Sequence, residues 1–170
     1  MPNVIVRRAS PKDLPAVGRL GALLVQEHYE FDSRRFMRPP DNAASGYASF
    51  LGSQLADPDV GVLVAERDGQ VVGYAYASVE DRDWMLLLDR AGVLHDIIVD
   101  AAARRQGVAR QLLAGVLEFL KSRGAPRVVL TTAEANEAAQ KLFASAGFRR
   151  TMIEMTRELD ADPSSLRSSG

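Results

Sequence analysis

The sequence predicts a mixed α/β domain in which one sheet carries helices on both of its faces. Two observations support this fold class. The run from Gly61 to Ala77 holds two apolar stretches around the turn dipeptide Asp68-Gly69, which is the pattern of a β-hairpin. After Asp100 the apolar residues recur at three- and four-residue spacing, which is the period of an amphipathic helix. Strands and helices therefore alternate along the chain, as a mixed sheet requires.

The N-terminal third is predicted as one strand followed by two helices. Val4 to Arg8 alternates briefly between apolar and polar residues, which suits an edge strand. Ser10-Pro11 marks the start of a helix that ends near Tyr29. Asn42 marks the start of a second helix, which ends before Pro58.

The rest of the chain completes the sheet. The hairpin is followed by an irregular segment over 81–92, and the predicted elements after it are a strand over 93–99, a helix ending at Gly124, a strand over 128–132, a helix over 136–146 and one or two strands over 148–159. We expect a right-handed parallel crossover between the strand ending at Val99 and the strand starting at Val128.

The length of 170 residues, with 46% hydrophobic and 25% charged side chains, indicates one compact domain. We predict that this single domain covers residues 1–160. Residues 161–170 are predicted to be a flexible C-terminal tail.

The composition excludes several kinds of site. The chain has no cysteine, which removes disulfides, thiolate metal sites and a cysteine nucleophile. With only His28 and His95 as histidines, we expect no metal site. The formal net charge of -1 gives no overall field that would attract nucleic acid. Val4 to Val6 is too short an apolar run for a signal peptide or a membrane span, so we expect a cytoplasmic protein without a membrane partner.

The segment after Val99 has the features of an anion site. A helix begins within the charged loop from Arg104 to Arg110, and the unpaired N–H groups at a helix N-terminus bind phosphate. Gly107 lets a diphosphate approach without a Cβ in the way. Both P-loop and dinucleotide-binding glycine patterns are missing. A charged loop that merely precedes a helix is the alternative interpretation.

Two motifs favour the phosphate interpretation. Val99 followed by Arg104-x-x-Gly107-x-Ala109 resembles the acyl-CoA loop of the GNAT (GCN5-related) N-acetyltransferase superfamily. Downstream, Asn136, Ala139, Phe143 and Gly147-Phe148 resemble the next segment of that superfamily. The two motifs stand in the right order and span about Val93 to Leu159.

The resemblance implies a GNAT fold and a bound acetyl donor. The implied fold has a central, mixed but mostly antiparallel sheet of six to seven strands, flanked by about four helices and splayed between the fourth and fifth strands. Acetyl-CoA would lie in that gap. The residues that the resemblance assigns to its binding are Ile97, Ile98 and Val99 through their main chain, Arg104, Arg105, Gln106, Gly107, Val108, Ala109 and Arg110 around the pyrophosphate, and Asn136, Ala139 and Phe143. Asn136 also suits a plain helix N-cap, and the Phe143 ring also suits the core.

His95 and Asp96 are the candidates for the base that takes the proton of the acceptor amine. They lie on the strand that the resemblance places beside the acetyl group. Alternation predicts that their side chains point to opposite faces, so that only one of them reaches that group. Asp96 could alternatively pair with an arginine, and His95 could be a satisfied, half-buried side chain. Outside candidates are Glu80, Asp83 and Glu134.

The sequence departs from the family pattern at Phe143, where many relatives carry a tyrosine that acts as general acid. A phenyl ring donates no proton. Water, or a hydroxyl of Tyr29, Tyr47 or Ser145, would protonate the departing sulfur, or the thiolate would leave unassisted.

The resemblance implies an N-acetyltransferase that moves the acetyl group of acetyl-CoA onto a primary amine of a small molecule or peptide by direct attack in a ternary complex. The aromatic residues in the segments that hold the acceptor in relatives are Tyr29, Phe31, Phe36, Tyr47 and Trp84, for which core packing is the alternative. Because that tyrosine is missing, an alternative function is an acyl-CoA-binding regulatory module without efficient turnover. A longer acyl group is a third alternative. Association into a homodimer is a further expectation from the resemblance.

Overall fold

The computed structural model describes residues 3–159, so the predicted tail over 161–170 lies outside the described residues. Five strands form one sheet in the order β1-β2-β3-β4-β5. The strands are β1 (Val4–Arg8), β2 (Val60–Arg67), β3 (Gln70–Glu80), β4 (Ala91–Val99) and β5 (Val128–Leu130). All neighbours are antiparallel except β4 and β5, which are parallel. The mixed, mostly antiparallel sheet is therefore confirmed.

Among residues 3–159, four α-helices accompany the sheet, as predicted. They are α1 (Leu14–Phe31), α2 (Ala43–Gln54), α3 (Val108–Ser122) and α4 (Glu137–Ser145). Their order among the strands matches the predicted order up to α4. The predicted hairpin is also present, and its turn residues Asp68 and Gly69 have φ values of 51° and 77°, which are the left-handed values that a two-residue hairpin turn requires.

The two faces of the sheet bury two separate clusters. The α3-side core contains residues of α3, such as Leu112 and Val116, packed on the sheet together with Leu94 and Phe143. The α1-side core joins Val17 and Leu20 of α1 to residues of α2 and the sheet. Helices therefore cover both faces, as the amphipathic patterns indicate.

Helices α1 and α2 pack unusually closely, and this contact positions Tyr47. A Cβ on Gly21 would lie 2.4 Å from the Tyr47 ring, and one on Gly18 would lie 2.3 Å from the Ala44 carbonyl oxygen. Both distances are far below van der Waals contact, so only glycine fits at these positions of α1. The side chain of Tyr47 is thereby held against α1 and the α1-side core.

The prediction of six to seven strands is wrong for the described residues, because the stretch 148–159 forms no strand. No backbone hydrogen bond joins residues 149–159 to the rest of the described chain. The apolar side chains of Met152, Ile153 and Met155 are 78 to 89% exposed. Alternation is a strand signal only when a neighbouring strand and a core surface are available to pair with it.

Strands β4 and β5 pair over only a short stretch. Only Gly92–Leu94 pairs with Val128–Leu130, although β4 continues to Val99. The second half of β4 consequently has no strand on its β5 side among residues 3–159. No helix in the described part of the chain is both long and apolar enough to cross a membrane.

Candidate acetyl-transfer site

A β-bulge in β4 brings His95 and Asp96 to the same side of the sheet. Tyr76 pairs with Asp96 and the next residue of β3, Ala77, pairs with Leu94, so His95 is an extra residue in β4. Leu94 and Ile97 consequently both pack on the α3-side core. The prediction that His95 and Asp96 point to opposite faces is wrong, because the bulge interrupts the alternation on which it rests.

Both side chains line one cavity of about 310 Å³, here named the bulge pocket. Its lining residues are Gly46, Tyr47 and Phe50 of α2, Tyr76 of β3, and His95 and Asp96 of β4. The pocket thus has aromatic walls and two ionisable side chains. Small ligand sites are commonly built in this way, from apolar walls with a few polar groups.

Asp96 is partly buried and accepts a hydrogen bond from Tyr74. The Tyr74 hydroxyl donates to Asp96 Oδ2 at 2.9 Å. Burial raises the pKa of the Asp96 carboxyl, while the Tyr74 hydrogen bond and the nearby His95 and His28 rings oppose that rise. Asp96 therefore accepts a hydrogen bond from tyrosine, and no arginine pairs with it among residues 3–159, where the alternative of an arginine partner is wrong.

Two tyrosines beside Asp96 keep their hydroxyl protons at neutral pH. Burial, with a smaller effect of the Asp96 charge, raises the pKa of Tyr47 to about 12. The same two causes raise the pKa of Tyr74 further. Of these two hydroxyls, that of Tyr47 belongs to a residue lining the bulge pocket.

His95 is held by contacts on two sides. Its Nε2 lies 2.8 Å from Ser78 Oγ and 3.0 Å from Glu80 Oε1. Its ring stacks on Tyr76, with ring centroids 4.7 Å apart and 23° between the ring planes. The alternative of a satisfied histidine thus holds for Nε2, while the ring itself remains part of the pocket wall.

The loop over 104–110 has the predicted form of an anion site. Arg105 and Gly107 have left-handed φ values of 62° and 80°, and α3 begins directly after Gly107. The first hydrogen bond at this end of the helix runs from Gln111 N to Gly107 O at 3.1 Å, so the N–H groups of Val108, Ala109 and Arg110 precede it and have no helical acceptor. A Cβ on Gly107 would meet nothing within 4 Å. The space above the glycine is therefore open to a ligand.

The three arginines of this loop differ in whether they already form an ion pair. Arg104 forms an ion pair with Glu27 of α1, and its Nε donates to the Val99 carbonyl oxygen at 2.9 Å. Arg105 and Arg110 are exposed, and neither has an ion-pair partner within residues 3–159. The positive charge available to an anion comes from these two, because Arg104 is already neutralised. Gln106 contacts Arg67 of the hairpin.

The second motif lies at the start of α4 and in the core. Asn136 is the N-cap, and its Oδ1 accepts a hydrogen bond from Ala139 N at 3.1 Å. The capping interpretation is therefore confirmed. The Phe143 ring is buried in the α3-side core and meets the Phe148 ring edge-on at a centroid distance of 5.8 Å. The core interpretation of this ring is confirmed as well.

The predicted acceptor residues do not all meet at the bulge pocket. Tyr47 lines it, whereas Tyr29, Phe31 and Trp84 do not. Trp84 is exposed at the loop between β3 and β4. Sequence reasoning missed the pocket residues Gly46, Phe50 and Tyr76, together with Tyr74 and Ser78 behind them. Alternation along β3 places Tyr74, Tyr76 and Ser78 on one face, and this signal could have identified them.

A second concavity of about 430 Å³ is larger than the bulge pocket. It is lined by Arg7, Asp13 and Glu66 among others, and Arg7 forms ion pairs with both carboxylates. The two ion pairs of Arg7 join β1, β2 and the start of α1. Lys12 and Arg19 add two further positive charges to the lining of this cavity.

Residues 22–148 match the Acetyltransferase (GNAT) family. The chain therefore belongs to the GNAT acetyltransferase family, and the family predicted from the two motifs is confirmed.

Two relatives illustrate the range of the matches. An uncharacterized N-acetyltransferase of Archaeoglobus fulgidus is 28% identical over 147 residues, which are 85% of this chain and 92% of that protein. A mycothiol acetyltransferase of Thermomonospora curvata is 33% identical over 108 residues, which are 62% of this chain and 34% of that protein. The chain thus covers about a third of the length of the mycothiol acetyltransferase that it matches.

Among solved structures, the aminoglycoside N-acetyltransferase AAC(6')-Iy, in complex with the bisubstrate analogue CoA-S-monomethyl-acetylneamine, has a TM-score of 0.67 with this chain at 22% identity. The match covers 94% of this chain and 99% of that one. At this level of identity the likeness shows a shared fold.

Proposed function

We propose that this protein transfers the acetyl group of acetyl-CoA to a primary amine of a small molecule or peptide, by direct attack in a ternary complex. The observation that carries the proposal is the arrangement around β4. One side of this strand presents His95 and Asp96 to the bulge pocket, and its free edge runs toward the loop over 104–110. A pocket for an amine and a site for a diphosphate thus meet along a single strand.

The described residues fit acetyl-CoA. The N–H groups of Val108, Ala109 and Arg110, with the α3 dipole, suit the pyrophosphate. Main-chain groups of Ile97 on the open edge of β4 suit the amide-bearing arm, because those of Ile98 face β3 and the Val99 carbonyl is already occupied by Arg104. Acetyl-CoA supplies the acetyl group as a thioester, whose C–S bond breaks as the amine nitrogen bonds to the carbonyl carbon.

The residues of the bulge pocket would accept the proton of the amine and donate a proton to the departing sulfur. An amine that enters as an ammonium ion must lose one proton before its lone pair can attack, and Asp96 and His95 are both placed to accept it. Over the whole reaction the amine nitrogen loses two protons, one of which leaves with the sulfur as free thiol. Tyr47 and Tyr76 are the residues of the pocket wall whose hydroxyls can donate a proton.

The pocket supports a small acceptor with apolar surface. Its volume of about 310 Å³ is at the lower end for small-molecule sites. Phe50 and Tyr76 offer apolar walls, and Asp96 offers a negative charge to an ammonium group. Two proteins similar to this chain, a mycothiol acetyltransferase and an aminoglycoside N-acetyltransferase, bear names that support a small-molecule acceptor.

A second candidate is an acyl-CoA-binding module without efficient turnover. The observation that favours it is the phenyl ring of Phe143 at the position where many relatives carry a tyrosine. The two candidates differ in whether free thiol appears.

A screen of amines with fixed acetyl-CoA, monitored by thiol release, tests the proposal. We expect at least one class of amine to release thiol well above the rate without amine, with a matching amount of N-acetylated product. Longer acyl-CoA donors in the same assay would reveal the preferred acyl length. Tight acetyl-CoA binding by calorimetry without thiol release from any amine would favour the binding module instead.

A further inference from the structure

Three polar side chains meet beside the bulge pocket, namely Ser78 and Glu80 of β3 and His95 of β4. Ser78 Oγ lies 2.9 Å from Glu80 Oε1 and 2.8 Å from His95 Nε2. The same Glu80 oxygen lies 3.0 Å from Nε2. Ser78 is buried, whereas the His95 and Glu80 side chains are 31% and 49% exposed. The cluster joins a buried hydroxyl to two groups that reach solvent.

The hydrogen bonds decide which nitrogen of neutral His95 carries the proton. A hydroxyl has a single hydrogen, and Ser78 donates it to the Glu80 carboxylate. The contact between Ser78 Oγ and Nε2 then requires Nε2–H to donate to the hydroxyl oxygen. A bare Nε2 lone pair so close to the carboxylate would also be repelled. Nδ1 is therefore the nitrogen with the free lone pair.

The ring orientation is fixed as well. Stacking on Tyr76 sets the plane of the His95 ring, and both rings line the bulge pocket. Nδ1 has no hydrogen-bond partner in the described part of the chain, since the contacts of this ring run through Nε2. A basic nitrogen is thus held in place beside the amine pocket without competition from a protein donor.

Serine, histidine and glutamate are also the residue types of a hydrolytic triad, but the geometry differs. In a triad the carboxylate binds one ring nitrogen and the serine the other. Here Ser78 and Glu80 both contact Nε2. Ser78 is also buried and gives its hydrogen to Glu80. The cluster therefore orients the histidine and does not activate the serine as a nucleophile.

We propose that Glu80 and Ser78 are positioning residues that present Nδ1 of His95 to the bulge pocket, so that His95 accepts the proton of the acceptor amine. This inference rests on the proposed function. The ammonium form of the acceptor gives one proton to Nδ1, which leaves a neutral amine with its lone pair. The Glu80 carboxylate at Nε2 stabilises the resulting imidazolium, and the exposed ring returns the proton to solvent after each turnover.

Asp96 has a different part in this arrangement. Its carboxylate is partly buried and already accepts the hydrogen bond of Tyr74, so it exchanges a proton with solvent less readily than the exposed His95 ring. Its negative charge next to His95 favours the imidazolium. The titratable groups near His95 are Asp96 on its own strand, Tyr76 and Glu80 on β3, and Tyr47 on α2.

The test compares Glu80→Gln with Asp81→Asn, using an amine that the wild type acetylates. Asp81 is the next residue along and is fully exposed, so its variant makes the same change of charge without touching His95. We expect Glu80→Gln to lower kcat by about 10-fold or more, with acetyl-CoA affinity unchanged. The acidic limb of the kcat/KM profile should move to lower pH, because the imidazolium loses its carboxylate partner. Asp81→Asn should leave both measurements as in the wild type.

A double-mutant cycle separates positioning from a general structural effect. His95→Gln should lower kcat by roughly 100-fold or more and remove the acidic limb. Adding Glu80→Gln to His95→Gln should cause little further loss, because Glu80 acts through the ring. Ser78→Ala should give a smaller loss in the same direction as Glu80→Gln.

Two outcomes would overturn the inference. One is a Glu80→Gln protein with the kcat and pH profile of Asp81→Asn. The other is a His95→Gln protein that keeps the acidic limb while Asp96→Asn loses it. If instead the wild type releases no thiol with any amine, the proposed function fails before the positioning question arises.

Discussion

One extra residue in β4 determines the chemistry available at the site. Without the bulge at His95, this side chain and Asp96 would face opposite cores. With it, an imidazole and a carboxylate share one pocket whose walls are aromatic. The pocket then contains both an imidazole that reaches solvent and a partly buried carboxylate beside it.

Phe143 is the residue at which the chain departs from the family pattern. Catalysis by this chain lacks the tyrosine hydroxyl that many relatives carry at this position. Phe143→Tyr should therefore accelerate the chemical step by about 10-fold or more, because the new hydroxyl can protonate the departing sulfur. The gain requires that hydroxyl to lie within about 3 Å of the sulfur. Single-turnover rates with one good acceptor measure the step directly.

Phe148→Tyr is the matched control for this experiment. Phe148 contacts the Phe143 ring, so the control adds the same hydroxyl to the same aromatic pair at a different position. A Phe143→Tyr protein that folds and shows the single-turnover rate of the wild type would contradict the prediction. A loss of stability of about 1–3 kcal/mol in that variant would indicate that the buried ring has no room for the oxygen.

At the scale of elements, the N-terminus of α3 is the part expected to hold the diphosphate. Gly107→Glu should lower acetyl-CoA affinity by roughly 100-fold or more, because bulk and negative charge would occupy the space above the free N–H groups. Titration calorimetry with acetyl-CoA measures this affinity. The substitution also strains the backbone, since the φ of Gly107 is 80°.

Gly124→Glu controls for that strain. Gly124 has a φ of 78° and follows the opposite end of the same helix. The control variant therefore shares the backbone cost and the added charge, but lies a helix length away from the loop. We expect it to bind acetyl-CoA as the wild type does. Unchanged affinity in a folded Gly107→Glu protein would show that the diphosphate lies elsewhere.

At the scale of the whole molecule, the homodimer expected from the family resemblance stays a prediction. The stretch 149–159 is where we expect a second copy to pack, because its backbone is unpaired and its apolar side chains are exposed. Light scattering should give twice the chain mass of 18.5 kDa. Ile153→Glu should shift the protein toward one chain mass, because a buried charge opposes association.

Met85→Glu is the control for this experiment, since Met85 is also strongly exposed but lies in the loop between β3 and β4. It should leave the mass unchanged. A wild type at one chain mass across the accessible concentrations would contradict the dimer. A dimer that Ile153→Glu leaves intact would place the interface on another surface.

The sequence by itself determined the features that depend on local signals. Period-two and helical spacing, the Asp68-Gly69 turn and the Asn136 cap lie within short segments, so the order of elements up to α4 followed from them. The two motifs were sufficient to identify the family for a similar reason. A glycine before a helix and an asparagine at a helix start have the same local geometry wherever the rest of the chain lies.

Only the tertiary structure decided how those elements meet. The bulge at His95 is a property of the pairing between β3 and β4, and a register shift of one residue leaves no mark in the periodicity of a short strand. Arg104 is neutralised by Glu27, which lies 77 residues away in the chain. The stretch 148–159 has the alternation of a strand but no neighbouring strand to pair with among the described residues. Pairing between distant segments depends on which surfaces remain free after folding, and a single sequence does not record that competition.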